Sequence, residues 1–203
     1  MIDHAARAIY VHIQKTGGTS TRAAFNWGMP DPHKHFRADQ LKPIYGEPCW
    51  NEYFKFAFVR NPWDRLVSWW SQFEFLRSRL QSGAPVSQFA VYVLQRATTF
   101  DEFLRNATDE IADIDGEKWI FRNQIDYLSD RNGNVMVDFV GRFESLSEDI
   151  SKVSQRVLGR SVEFPHLNAS GRSDYRSYYT DELAELVARR YARDIQTFGY
   201  SFD

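Results

Sequence analysis

The chain of 203 residues has one cysteine, Cys49, so no internal disulfide can staple it and no cysteine-built zinc site can form. It has no apolar run of about 18 residues, so no integral membrane segment is expected. Its first residues also lack the apolar stretch of a secretory leader, which makes the cytoplasm the expected location. Neither charge sign is in surplus: 25 Lys and Arg stand against 27 Asp and Glu, for a net charge of -2. Proteins that track phosphate backbones normally carry a basic excess, so general nucleic-acid binding is not expected and any positive site must be local. Internal repeats, low-complexity tracts and long linkers are missing too. One domain over residues 1–203 is the expectation, long enough to bury roughly 70% of the surface its unfolded chain exposes.

What the chain has in plenty is aromatic surface: 16 Phe, 10 Tyr and 6 Trp, 16% of all residues. A rich core accounts for most of it; stacking surfaces for a base or sugar are the sharper alternative. Residues 8–13 form a β-branched and aromatic run that reads as a buried strand, followed by a glycine turn and a helix over 21–27. Residues 29–53, with Pro30, Pro32, Pro43 and Pro48, read as mostly irregular surface. A second buried strand is expected over 54–59. Asn61 then caps a helix with Pro62 at its first position, running to about Leu80. Further helices are expected over 86–96 and 100–106, a strand over 135–142, and a helix from a Ser145/Glu148 capping box to Gly159. A last helix, capped by Thr180, carries Leu183, Leu186, Val187, Tyr191 and Ile195 on one side. Strands alternating with helices predict an α/β fold with a central, mainly parallel sheet flanked by helices.

Two strand ends carry the candidate chemistry. In Gln14-Lys-Thr-Gly-Gly-Thr-Ser20, Gly17 and Gly18 let the backbone approach an anion at a helix start, while Lys15, Thr16, Thr19 and Ser20 add one charge and three hydroxyls. In nucleoside triphosphatases the loop lysine follows the last glycine and the next hydroxyl holds magnesium. Here the lysine precedes both glycines and no Gly-Lys pair occurs in the chain, so a magnesium-dependent ATPase or kinase loses its main support. At the second strand end, Arg60 points toward the crevice where ligands of open α/β sheets bind, and Ser68 follows on the helix.

Together these segments resemble a known family. His12-Ile-Gln-Lys-Thr-Gly-Gly-Thr-Ser20 resembles the 5′-phosphosulfate loop of sulfotransferases that use 3′-phosphoadenosine 5′-phosphosulfate (PAPS), particularly the branch of the heparan sulfate 2-O- and 6-O-enzymes and their bacterial relatives. Phe58-Val-Arg-Asn-Pro-Trp-Asp-Arg-Leu-Val-Ser68 resembles that family's 3′-phosphate motif. Asp138-Phe-Val-Gly-Arg-Phe-Glu144 and Asp194-Ile-Gln-Thr-Phe-Gly-Tyr-Ser-Phe202 extend the likeness over most of the chain. The resemblance implies a P-loop-like fold and a sulfuryl transfer to a hydroxyl acceptor, expected to be a saccharide, without a metal. It implies that residues Lys15, Thr16, Gly17, Gly18, Thr19 and Ser20 wrap the 5′-phosphosulfate and that Arg60 and Ser68 hold the 3′-phosphate. Ser170 and Arg172, in the loop over 165–173, would fold over the nucleotide. The readings left beside it are a P-loop nucleotide kinase and a nucleotide-binding adaptor without turnover.

An acceptor hydroxyl needs a base, and five histidines are available. His4 lies near the terminus, His12 inside the first strand and His166 in the late loop. His35, followed by the start of a short helix as in the resembling family, is preferred as the base, with His33 in reserve and Glu47 or Glu52 as carboxylate alternatives. The alternation of His33 and His35 does not extend into a metal-ligand cluster. Trp119, Arg122, Asn123 and Gln124 are candidates to line a sugar site. Arg172, Arg176, Arg189, Arg190 and Arg193 are candidates to attract an acidic acceptor or simply to face solvent.

Overall fold

The structure, a computed structural model, describes residues 1–28, 31–113, 116–162 and 173–203. In chain order its elements are β1 (Ile2–Asp3), β2 (Ala8–Tyr10), α1 (Gly18–Ala24), α2 (Ala38–Tyr45), α3 (Glu47–Glu52), β3 (Phe54–Val59), α4 (Pro62–Gln81), α5 (Gln88–Arg96) and α6 (Phe100–Asn106). They continue with β4 (Ile111–Asp113), β5 (Gly116–Lys118), α7 (Ile125–Leu128), β6 (Phe139–Arg142), α8 (Leu146–Leu158), α9 (Asp181–Arg190) and α10 (Ala192–Phe198). The described residues of 1–60 and 124–171 form one compact unit, and those of 61–123 and 172–203 form another.

The first unit is built on a sheet in the order β1-β2-β3-β6, parallel except for β1 against β2, with Tyr10 opposite Phe56 and Phe56 opposite Phe139. Strands covered on both faces need mostly apolar residues, and β2 and β3 supply them at every position but Lys55, which pairs with Asp138; all of them but Phe54 are buried. Tyr10 stacks on Phe56 at 5.1 Å, and Phe25, Phe58, Ile150 and Val153 close the core around them. Each such fully buried aromatic contributes about 2–3 kcal/mol of transfer free energy. In the second unit α4 buries Leu66, Val67, Trp69, Trp70 and Phe73. Trp69 stacks on Phe73 at 5.6 Å and meets Phe89 edge-on, while Phe103 lies against both Trp70 and Phe73. The aromatic surplus is thus mostly core.

Several expectations shift. Residues 29–53 are not mostly irregular: α2 and α3 occupy 38–52, burying Ala38, Leu41 and Trp50. The prolines misled because Pro48 sits in the first turn of α3, where its missing N–H costs nothing, and Pro43 is exposed near the end of α2. The first strand stops at Tyr10, so His12 lies beyond it and not within it, and α1 starts at Gly18. The strand expected over 135–142 is confined to β6; Val135 makes one isolated bridge to Ser129. The capping box at Ser145 does not form, since its hydroxyl donates to the Asp149 carboxylate (2.9 Å) and caps no backbone N–H. The last helix breaks at Tyr191 into α9 and α10, where the buried Tyr191 hydroxyl reaches the Ile120 carbonyl. A short β1 and the β4–β5 hairpin were not anticipated; both are too short to leave a pattern in the sequence. Among the described residues no helix is long and apolar enough to cross a membrane.

Candidate active site

The loop after β2 is braced from inside. Val11 N–H still donates to the Phe56 carbonyl at 2.9 Å, and the chain then turns. The buried Thr16 hydroxyl donates to the Ile13 carbonyl (2.8 Å), and the buried Gln14 side chain accepts from the Tyr127 hydroxyl (2.8 Å). Lys15 and Gly17 both take left-handed backbone angles, with φ of 68° and 88°. The Gly17 carbonyl accepts from the Thr21 N–H at 2.9 Å and so opens α1, which has no side-chain cap. Packing demands the glycines as much as the turn does. A Cβ on Gly17 would lie 2.6 Å from Leu146 Cδ2, and one on Gly18 would fall inside the ring of His12. Along this loop Ser20 is buried and Thr19 is exposed.

Arg60, the first residue after β3, is buried, 4% exposed. Its guanidinium lies 3.8 Å from the centre of the Phe143 ring and donates to the Lys15 carbonyl at 3.1 Å, which brings the two sequence motifs together within the first unit. Its backbone is held on both sides: the N–H donates to Gln124 Oε1 (2.9 Å), and the carbonyl accepts from Gln124 Nε2 (2.8 Å).

The histidines divide by surroundings. His12 is packed between the Tyr10 ring, stacked at 5.2 Å, and the His35 ring at 4.6 Å; its Nδ1 is buried without a partner among the described residues. Burial, reinforced by the neighbouring His35, holds its pKa well below the ordinary imidazole value, so His12 is a neutral packing residue. His35 Nδ1 lies 3.3 Å from the His12 carbonyl. A carbonyl only accepts, so the neutral His35 ring carries its proton on Nδ1 and keeps its lone pair on Nε2, the arrangement a general base requires. His33 instead leans on Asp31, with Nδ1 3.4 Å from a carboxylate oxygen that also accepts the His33 N–H at 2.7 Å. The other Asp31 oxygen accepts from the Tyr45 hydroxyl. Burial works to raise the Asp31 pKa, but this N–H bond and the positive groups nearby prevail and hold it low.

Ser68 lies half-buried on α4, in the second unit. Ser170, Arg172 and His166 fall outside the described residues. The sugar-site candidates are engaged by the protein itself: the Trp119 indole donates to the Thr108 carbonyl, Arg122 pairs with Glu110, Asn123 donates to the Arg190 carbonyl, and Gln124 clamps Arg60. Among the arginines proposed for an acidic acceptor, Arg176 pairs with Asp174, Arg189 with Glu185, and Arg190 reaches the Leu104 carbonyl. Glu52 pairs with Arg7 and Glu47 with Lys42. Among the described residues no group of three or more His, Cys, Asp or Glu is placed to hold a metal ion. The sequence names three further residues that shape the site without disclosing their contacts: His12 under Gly18, Phe143 under Arg60, and Gln124 on the Arg60 backbone. Only the last has a visible signal, an amide just before a short apolar helix, and that signal has several meanings.

In chemical terms the first unit gathers a lysine, a guanidinium and an uncapped helix start around one glycine turn, with an imidazole nearby. Such a set of groups can chemically receive an anion beside an imidazole. Comparison with known proteins bears on which anion. A family model described as "Sulfotransferase family" matches residues 1–201. An uncharacterised protein of Archaeoglobus fulgidus is 28% identical over 137 residues, covering 64% of this chain and 89% of that one. No solved structure matches the chain.

Proposed function

Because the chain belongs to the sulfotransferase family, we propose that it moves a sulfuryl group from PAPS to a hydroxyl of a carbohydrate, in line and without a metal. The observation that carries this reading is the meeting of the two motifs at the contact of Arg60 with the Lys15 carbonyl, in a chain whose residues 1–201 the family matches. The donor set suits a bisphosphorylated nucleotide. Glycine backbone and a lysine can take one phosphate group, and a guanidinium fixed by an aromatic ring can take the other with paired bonds.

In this reading Lys15 and the N–H groups of residues 16–20 form a P-loop-like cradle for the 5′-phosphosulfate, where the lysine neutralises charge on the leaving phosphate oxygen. Arg60 and Ser68 hold the 3′-phosphate, with Ser170 and Arg172 as further contacts. His35 Nε2 accepts the proton of the acceptor hydroxyl; His33 is the reserve. The balance is simple: one S–O bond forms to the acceptor oxygen, the S–O bond to the phosphate breaks, and the proton passes to imidazole. The chemistry needs little beyond positioning and charge neutralisation. The carbohydrate acceptor rests on the likeness of residues 12–20 and 58–68 to the heparan sulfate branch.

Calorimetry with 3′-phosphoadenosine 5′-phosphate, against ATP with magnesium, tests the reading. Tight, magnesium-independent binding of the bisphosphate, weakened at least about tenfold in Arg60→Ala, is the expected result. Preference for ATP with magnesium overturns it in favour of a kinase. Normal binding without sulfate transfer to any hydroxyl in a saccharide panel would leave an adaptor.

A further inference from the structure

The short helix α7 and the glutamine before it touch both motifs, and neither contact belongs to the ligand cradle itself. The chain leaves the first unit after Arg60 and re-enters it at Gln124. At that re-entry the Gln124 amide pairs with the Arg60 backbone in both directions, donor to carbonyl and acceptor to N–H, at 2.8 and 2.9 Å. Three residues on, the Tyr127 hydroxyl donates to Gln14 Oε1 at 2.8 Å, at the start of the glycine loop. Gln124 and Tyr127 are both fully buried, so solvent cannot replace either bond.

We infer that α7 is the positioning element for both anion-binding segments: Gln124 sets the direction in which the Arg60 side chain leaves β3, and Tyr127 sets the glycine loop through Gln14. The physical reason is that a strand end carries no ladder of its own to fix its last residue. A side-chain amide that supplies both a donor and an acceptor acts as one more rung of the sheet, and removing it takes a partner from each of two buried backbone groups next to the guanidinium. The loop has a parallel need, because its backbone takes left-handed angles at Lys15 and Gly17 that tertiary contacts must hold.

This inference rests on the nucleotide reading and predicts a split that a purely structural role would not produce. The probes are 3′-phosphoadenosine 5′-phosphate and adenosine 5′-monophosphate, which differ only in the phosphate assigned to Arg60. Binding of each is measured calorimetrically to the full chain. Gln124→Ala is expected to lower affinity for the bisphosphate about tenfold while leaving that for the monophosphate unchanged. Tyr127→Phe, which keeps the packing and removes one hydrogen bond, is expected to lower both affinities by the same factor of about three to ten. Gln124→Met, of equal length but without the amide, serves if the alanine variant does not fold. If a folded Gln124 variant weakens both nucleotides equally or neither, or if Tyr127→Phe leaves both unchanged, the positioning role is overturned while the nucleotide reading stands. Wild-type protein that binds neither nucleotide overturns the functional reading itself, and this inference with it.

Discussion

The two strand ends of this protein share one layout and complete it in opposite ways. After β2 the chain enters a glycine turn and then α1, seven residues long and without a side-chain cap. After β3 it passes Arg60 and enters α4, twenty residues long, whose first turn is closed by Asn61: the side-chain oxygen accepts from the N–H groups of Trp63 (3.0 Å) and Asp64 (3.4 Å). A helix start whose donors are taken by its own cap has little left for an anion, so in the proposed reading the charge at the second end comes from a side chain. Arg60 is that side chain, braced by Phe143 and Gln124. At the first end the proposed reading gives that role to the backbone, and the backbone is held firmly: Thr16, Gln14 and His12 all pack or bond against the turn, and its helix has no side-chain cap.

The contrast breaks most severely at Gly18. Adding a methyl group drives it into the His12 imidazole, which Tyr10 and His35 hold in place, so Gly18→Ala should cost about 2–3 kcal/mol in urea denaturation. In a His12→Ala background, where the ring is gone, the same substitution should cost much less. Additive losses in that cycle would refute the packing explanation.

Next in size is an effect of acid on the same ring. His12 stays neutral in the fold because burial lowers its pKa, whereas in the unfolded chain it takes up a proton near pH 6.5. Stability is therefore full above about pH 6.5 and falls as the pH drops below it, by up to about 1.4 kcal/mol per pH unit. A urea midpoint followed from pH 7 to pH 5 should show this slope, and His12→Gln should flatten it. A slope unchanged in that variant would assign it to other groups.

At the second strand end, Asn61→Ala removes the cap and the bond from Asn61 Nδ2 to the Ser201 carbonyl (2.9 Å), with an expected loss of about 1–2 kcal/mol. Adenosine 5′-monophosphate binding should be unaffected, since that cap serves α4 and not the glycine loop; a matching fall in affinity would erase the distinction between the two ends. The smallest effect is expected at Ser145→Ala. Asp149 keeps the Arg142 N–H (2.8 Å) and Lys152 (2.7 Å), so losing one hydroxyl should cost about 0.5–1 kcal/mol in thermal unfolding.

Signals carried within a few residues were legible in the sequence. β3 is found at 54–59, the Asn61 cap and Pro62 start of α4 lie where expected, α6 covers the expected 100–106, and α8 closes at a left-handed Gly159. Each depends on neighbours one to four positions apart. The misses depend on distant partners. Tyr191 interrupts the last amphipathic pattern where its hydroxyl reaches Ile120, and the prolines of 29–53 read as breakers although α2 and α3 bury Leu41 and Trp50. The site shows the same division. Lys15 and Arg60 were singled out from their own segments, whereas Gln124, assigned a sugar, turned out to hold Arg60 from sixty-four positions away.

The sequence by itself determined that a glycine turn follows one buried strand and an arginine ends another, and that lysine placement argues against a magnesium-type phosphate loop, because backbone torsions and residue chemistry are local properties. Only the tertiary structure decided why both glycines are needed, what His12 packs against, which nitrogen of His35 keeps its lone pair, and what holds the arginine. Those outcomes depend on burial and on hydrogen-bond partners from β2, α7 and the segment before α8, and no linear pattern records which distant group fills a space or takes a proton.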